Sequence, residues 1–142
     1  MLTKKGTTMR FCVDAICKHY VKTECTQKYV VVKRLSDPKG LALPGGGIEK
    51  NERREDAIAR EVEEETGLSF RVKLWLPKTY DEKGRDPRGD TTSYVAVGEG
   101  FGNIKNEKNK TEVILLTYEE LNRFSNLFVF DHEKIIKDYM NH

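Results

Sequence analysis

The sequence contains no apolar run longer than four residues, Val113–Leu116 and Leu127–Phe130 being among the longest, whereas a helix that crosses a membrane needs roughly 20. No membrane partner is expected. Cysteine is scarce: Cys12, Cys17 and Cys25 form no C-x-x-C pair, and no histidine stands at zinc-finger spacing from them. That speaks against a disulfide framework or a structural zinc site and for a reducing cytoplasm. The opening residues, Met1 to Gly6, are basic but no apolar segment follows them, so a secretory signal is not expected. An excess of one charge is missing too. Twenty-five Lys and Arg against 23 Asp and Glu leave a formal net charge of +2, too weak a field to imply nucleic acid as a partner. Nucleophile motifs are also absent. Ser36, Ser69, Ser93 and Ser125 occupy no G-x-S-x-G elbow, and His19, His132 and His142 suggest no triad, so acyl-transfer chemistry finds no support. Neither a G-x-G-x-x-G nor a G-x-x-x-x-G-K-[ST] loop is present at the glycine triplet Gly45–Gly47, which removes a Rossmann dinucleotide site and a P-loop.

What the chain does contain is one domain, residues 1–142, with 37 % hydrophobic and 34 % charged residues, enough apolar material for one modest core. Phe11–Cys17 and Tyr29–Val32 are short and β-branched and read as strands. After the turn Ser36–Gly40 come Leu41–Leu43 and a glycine loop, Pro44–Gly47, which precedes a long helix from about Asn51, a candidate cap, to Thr66, with Gly67 as its stop. Arg71–Lys78 and Thr91–Val97 read as strands flanking the loop Tyr80–Asp90, and Val113–Thr117 as another. Thr117 to Glu120 has the capping-box pattern of a short helix. A last helix, Asp131 to about Asn141, lines up Ile135, Ile136, Tyr139 and Met140 as a packing stripe, and Asn103–Lys110 reads as a solvated loop.

The long helix breaks a rule of its own kind. Glu61 stands three and four residues before Glu64 and Glu65, so three carboxylates share a face near the negative end of the helix dipole, each like-charged pair costing roughly 0.2–0.5 kcal/mol. Stability alone does not select this. Oxygen-rich carboxylate clusters bind hard divalent cations, and violations of local rules tend to mark function. From Gly46 to Leu68 the chain satisfies G-x5-E-x7-R-E-U-x-E-E-x-G-U, U being bulky and aliphatic, through Gly46, Glu52, Arg60, Glu61, Val62, Glu64, Glu65, Gly67 and Leu68. With seven fixed residues at roughly 7 % usage each, a chance match is on the order of one in ten million.

This segment resembles the signature of the Nudix hydrolases, which cleave nucleoside diphosphates linked to another moiety. The resemblance implies an α/β (α+β) fold, an α/β/α sandwich with a mixed β-sheet. It implies that Glu61, Glu64 and Glu65, with the carbonyl of Gly45, hold Mg²⁺ or Mn²⁺, that Glu64 and Glu65 act in catalysis, and that Glu52 anchors Arg60 while Arg60 orients a catalytic glutamate. The chemistry agrees: an anionic diphosphate resists attack until cations neutralise it and lower the pKa of a water. Gly46 belongs to a triplet that admits substrate close to the backbone.

Phe11–Ile16, Val32–Arg34, Gly40–Gly46, Gly84–Gly89 and Phe130–Ile135 resemble the branch that contains bacterial and archaeal ADP-ribose pyrophosphatases and Nudix-type regulators of nicotinamide metabolism. In the loop Arg85-Asp86-Pro87-Arg88-Gly89, Arg85 and Arg88 are expected to grip substrate phosphate bidentately. Where the branch often carries Trp this chain has Leu41, and Lys108-Asn109-Lys110 replaces an acidic pair. The catalytic base therefore falls to Glu112 or Glu107, with Glu99 a third candidate. The expected reaction is metal-dependent hydrolysis of ADP-ribose, or a related nucleoside-diphosphate sugar, to AMP and ribose 5-phosphate. The alternatives are a nucleoside triphosphate pyrophosphohydrolase and a noncatalytic ADP-ribose sensor; for the sensor, the basic helix-turn-helix of a DNA-binding partner domain is not seen. The expected partner is a small nucleotide, and the resemblance implies a homodimer.

Overall fold

The computed structural model describes residues 9–107 and 110–141; Met1–Gly6, Lys108, Asn109 and His142, noted above, lie wholly outside them. Seven strands form one mixed sheet: β1 (Arg10–Val21), β2 (Glu24–Arg34), β3 (Gly40–Ala42), β4 (Gly45–Gly47), β5 (Ser69–Trp75), β6 (Thr91–Phe101) and β7 (Thr111–Thr117). The helices are α1 (Arg54–Thr66), α2 (Tyr118–Arg123) and α3 (His132–Met140), with a 3-10 turn at Ser125–Leu127. β1 and β6 run parallel from Arg10↔Thr91 to Tyr20↔Phe101, and every other pairing in the sheet is antiparallel.

Alternation along the strands supplies two cores. Val13, Ala15 and Cys17 of β1 and Val30 of β2 pack with Ala57, Ile58 and Val62 of α1. Ile16, Tyr29 and Val31 face the other way, against Leu121, Ile135 and Ile136. The result is α/β/α layering. Complete burial of Ile58 and Val62 contributes about 1.5–3 kcal/mol for each side chain. α1 ends where expected, because Gly67 takes the left-handed φ of 79° and returns its N–H to the Glu63 carbonyl. The capping box of α2 forms with Thr117 and Glu120 in reciprocal contact. Tyr139 and Met140 join Ile135 and Ile136 against the same core.

Several boundaries differ from the sequence reading. β1 and β2 extend through polar residues into a hairpin, since backbone pairing between Lys18–Val21 and Glu24–Tyr29 needs no apolar face. Asn51 is not the cap of α1; it has φ of 64°, and Arg53 occupies the cap position without a side-chain bond to the helix backbone. The strand read at Arg71–Lys78 is Ser69–Trp75, and the one read as ending at Val97 continues to Phe101. Most consequential is the glycine triplet. It is a strand, β4, paired with Cys12–Asp14 of β1.

That pairing explains where a cleft can open. β1 and β2 stay paired only near their hairpin end and then part. β3 lies along β2 at Val32–Arg34 and β4 along β1 at Cys12–Asp14, so Leu43 and Pro44 bridge the fork. Among the described residues no helix is long and apolar enough to cross a membrane.

Candidate active site

A cleft of about 120 Å³ sits at the fork, lined among others by Asp14 of β1, Arg34 of β2, Gly45 and Gly46 of β4, Glu65 of α1 and Arg88. One wall is acidic. Glu65 accepts a 2.7 Å hydrogen bond from the Gly45 N–H, and the Glu61 carboxyl lies so close to Gly46 that a β-carbon there would stand 2.5 Å from it. The position thus tolerates glycine alone while Glu61 keeps its place. Burial, together with the charges of Glu61, Glu107 and Asp14, pushes the Glu65 carboxyl up to about 8 against the pull of the Gly45 N–H. Burial raises Glu61 as well, with Glu64 and Glu107 adding to it against Arg60. Glu64 is half exposed and meets Arg60 only at 3.4 Å.

Arg60 organises this wall. Its Nε and Nη2 donate to the two Glu52 oxygens at 2.8 and 2.9 Å, Nη2 also to the Gly47 carbonyl at 2.9 Å, and Nη1 to Glu61 at 2.8 Å. The guanidinium fork fits such bidentate contact. It holds the Glu52 carboxyl down to about 2, helped by the Glu49 N–H, and ties α1 to β4 and to the loop before the helix.

The opposite wall is cationic. Arg34 donates to the backbone carbonyls of Pro38 and Asp37 at 2.8 and 3.2 Å, and among the described ion pairs it has no carboxylate partner. Arg88 pairs with Asp86 at 2.9 Å and remains half exposed. Both guanidinia lie over the Phe130 ring, at 5.4 and 4.9 Å from its centroid. Phe130 itself holds φ at 60°, strain of the kind that gathers at binding sites.

The structure does not treat the expected site residues alike. Gly45, Gly46, Arg60, Glu61 and Glu65 converge; Glu64 lies at their margin. Arg88 lines the cleft with a free edge. Arg85 also lines it, but its guanidinium is buried and saturated by a bidentate pair with Asp131, at 2.8 and 2.7 Å, and by Thr91; it fastens the loop Tyr80–Asp90 to the start of α3. Glu112 is exposed on β7 opposite Lys33, and neither it nor Glu107 is among the residues lining the cleft. Glu99 is buried and engaged by Arg71 at 2.7 Å and Lys73 at 3.4 Å. The charge of Glu107 bears on both Glu61 and Glu65, and Lys110 stands 3.9 Å from its carboxylate.

Asp14, His132, Arg34 and Phe130 also line the cleft, and sequence reasoning passed over them. For Asp14 a signal existed, a lone acid inside the apolar run Phe11–Cys17.

Among the described residues no trio of His, Cys, Asp or Glu is drawn into a ready-made ligand cage. The donor set nonetheless fits a hard divalent cation. Its members are oxygens, two of them carboxylates whose ionised forms burial and mutual repulsion disfavour, a penalty that a bound cation would relieve.

The sequence model of the NUDIX domain matches residues 20–139, most of the chain. An ADP-ribose pyrophosphatase of Methanocaldococcus jannaschii is 42 % identical over 120 residues, covering 82 % of this chain and 68 % of the relative. The chain belongs to the NUDIX family. Its fold agrees with that of other NUDIX proteins. A bifunctional NMN adenylyltransferase/ADP ribose pyrophosphatase of Francisella tularensis, complexed with AMP and a Mn ion, superposes with a TM-score of 0.76 at 23 % identity, over 94 % of this chain and 42 % of that one. The present chain thus spans about two fifths of that protein's length. The NUDIX domain of Shewanella oneidensis NrtR, complexed with ADP ribose, gives 0.73 at 20 % identity over 95 % of this chain and 88 % of that one. The acidic wall is therefore built from the NUDIX signature, and the cationic wall from residues outside it. The family identifies the chain as a pyrophosphohydrolase.

Proposed function

We propose that this enzyme hydrolyses the diphosphate of ADP-ribose, or of a related nucleoside-diphosphate sugar, to AMP and ribose 5-phosphate with Mg²⁺ or Mn²⁺. The observation that carries the reading is one cleft with partly buried carboxylates, Glu65 in its lining and Glu61 against Gly46, and with the guanidinia of Arg34 and Arg88 in the same lining. A diphosphate needs both. The 42 % identical relative named as an ADP-ribose pyrophosphatase supports that substrate, and the AMP and Mn ion of the Francisella complex support the product and the cation class.

Glu61, Glu64, Glu65 and the Gly45 carbonyl would hold the cation, which supplies neutralisation of the diphosphate and a lowered pKa for water. Arg60, braced by Glu52 and the Gly47 carbonyl, fixes the Glu61 carboxylate. Gly46, bare of a side chain, lets the substrate approach the backbone. Arg88 grips a phosphate or the terminal ribose through the edge that Asp86 leaves free. Arg85 acts indirectly, by securing the loop that carries Arg88. Glu107, rather than Glu112, accepts the proton as the water oxygen bonds to phosphorus; the bridging phosphorus–oxygen bond breaks and the departing phosphate takes up a proton. A cytoplasmic homodimer completes the proposal. Cys12, Cys17 and Cys25 are free thiols, as a reducing compartment keeps them, and sedimentation equilibrium checks the pairing.

A panel of nucleotides incubated with Mg²⁺ or with chelator, its products resolved by chromatography, tests the reading. AMP and ribose 5-phosphate should form from ADP-ribose only with the metal. Turnover of nucleoside triphosphates with ADP-ribose left intact would overturn it.

A further inference from the structure

We infer that His132 is a positioning residue for Glu65, acting through the backbone of Leu43–Gly45. The inference rests on the functional reading above, in which Glu65 belongs to the catalytic cluster. His132 is the first residue of α3 and is 4 % exposed. Its Nδ1 accepts a 2.9 Å hydrogen bond from the Leu43 N–H. With Nδ1 accepting, the ring proton lies on Nε2, which faces Asp14 Oδ1 at 3.4 Å. Asp14 is held in turn by the Ser93 hydroxyl and stands 4.0 Å from Arg85.

Two residues beyond Leu43, Gly45 donates its N–H to Glu65 at 2.7 Å. Between them the Pro44 carbonyl accepts from the Ala15 N–H at 2.8 Å, and Gly45 pairs with Asp14 itself. The ladder with β1 reaches Pro44 and the ladder with β2 reaches Ala42, so Leu43 lies between the two and its N–H goes to His132. His132 therefore supplies from the α3 side the restraint that strand pairing supplies elsewhere. The line of contact runs from Asp14 through both ring nitrogens to Leu43, and along the backbone to Gly45 and the Glu65 carboxylate. Phe130, at φ of 60°, and the Arg85–Asp131 pair fix the entry to α3 and so the point from which the ring projects.

The two ring nitrogens have different jobs, so two amides separate them. H132N sets an acceptor where Nδ1 stands, whereas H132Q carries its amide out to the Nε2 position. Mn²⁺ affinity, read from the free-ion electron paramagnetic resonance signal, is measured beside kcat and KM for ADP-ribose, on variants whose folding is checked by circular dichroism. H132N should stay within about threefold of the parent on Mn²⁺ affinity, and H132Q should lose about tenfold in affinity and in kcat while KM changes little, the range typical when a partner of a metal ligand is altered. H132Q with parental Mn²⁺ affinity, or H132N as deficient as H132Q, would overturn the inference. Failure of both amides to fold would do so equally, because the imidazole would then serve the fold itself. The Mn²⁺ arm needs no substrate, so a parent protein that binds Mn²⁺ and spares ADP-ribose contradicts the functional reading while the positioning claim is still decided by the variants.

Discussion

Glu65 sits far from its ordinary chemistry: a carboxyl pushed to about 8 by burial and by the charges of Glu61, Glu107 and Asp14, with the Gly45 N–H pulling the other way. Replacing it with glutamine keeps an acceptor for that N–H and removes the charge. We expect E65Q to fold and to lose at least ~10²-fold in kcat with ADP-ribose, as removal of a metal ligand or base does; steady-state kinetics showing parental turnover would refute the role. The signature glutamates and Arg60 were legible because a motif fixes their spacing along one helix. Asp14 and His132 were not, since their contact joins residues 118 positions apart by number, through strands whose pairing no local pattern encodes. Arg85 and Arg88 look equivalent in sequence; only the position of Asp131 shows that one is saturated and the other retains an open edge.

At the scale of elements, local signals worked and non-local ones did not. The Gly67 stop of α1 and the Thr117–Glu120 box of α2 depend on neighbours within a turn, so the sequence reading found them. The start of α1 lies beyond Asn51 because Asn51 takes a left-handed turn conformation that its side chain permits as readily as capping. Three glycines carry no strand propensity, so the local pattern signals a loop where pairing with Cys12–Asp14 makes β4 a strand. That short strand sets a sharp condition on its middle residue. G46A would bring a methyl group to 2.5 Å from the Glu61 carboxyl carbon, without demanding a positive φ. We expect near-parental thermal stability and about a tenfold or greater loss of Mn²⁺ affinity, read by titration. Retained affinity would show that Glu61 does not need its place beside Gly46.

For the whole molecule, two cores on opposite faces of the sheet stabilise a fold whose cleft holds carboxyls that burial keeps from ionising. Without divalent ions, the folded chain keeps a Glu65 proton that the unfolded chain has released above about pH 4.5. That contribution is fully present at lower pH and is lost as pH climbs through about 8. His19, whose pKa burial lowers below 6.5, works in the other direction only beneath that value. Thermal melts in chelator should therefore show Tm falling from about pH 6.5 to 8, a slope that E65Q reduces; a flat or rising Tm in the parent would contradict the buried proton. Added Mn²⁺ should stabilise more as pH rises, because it binds the deprotonated carboxylates. Whether Glu61 and Glu65 exist to hold divalent cations is decided by a crystal structure with Mn²⁺ and anomalous scattering. A peak is expected between those carboxylates and the Gly45 carbonyl. No peak, with Glu61 still bound to Arg60 and Glu65 to the Gly45 N–H at saturating Mn²⁺, would contradict that role.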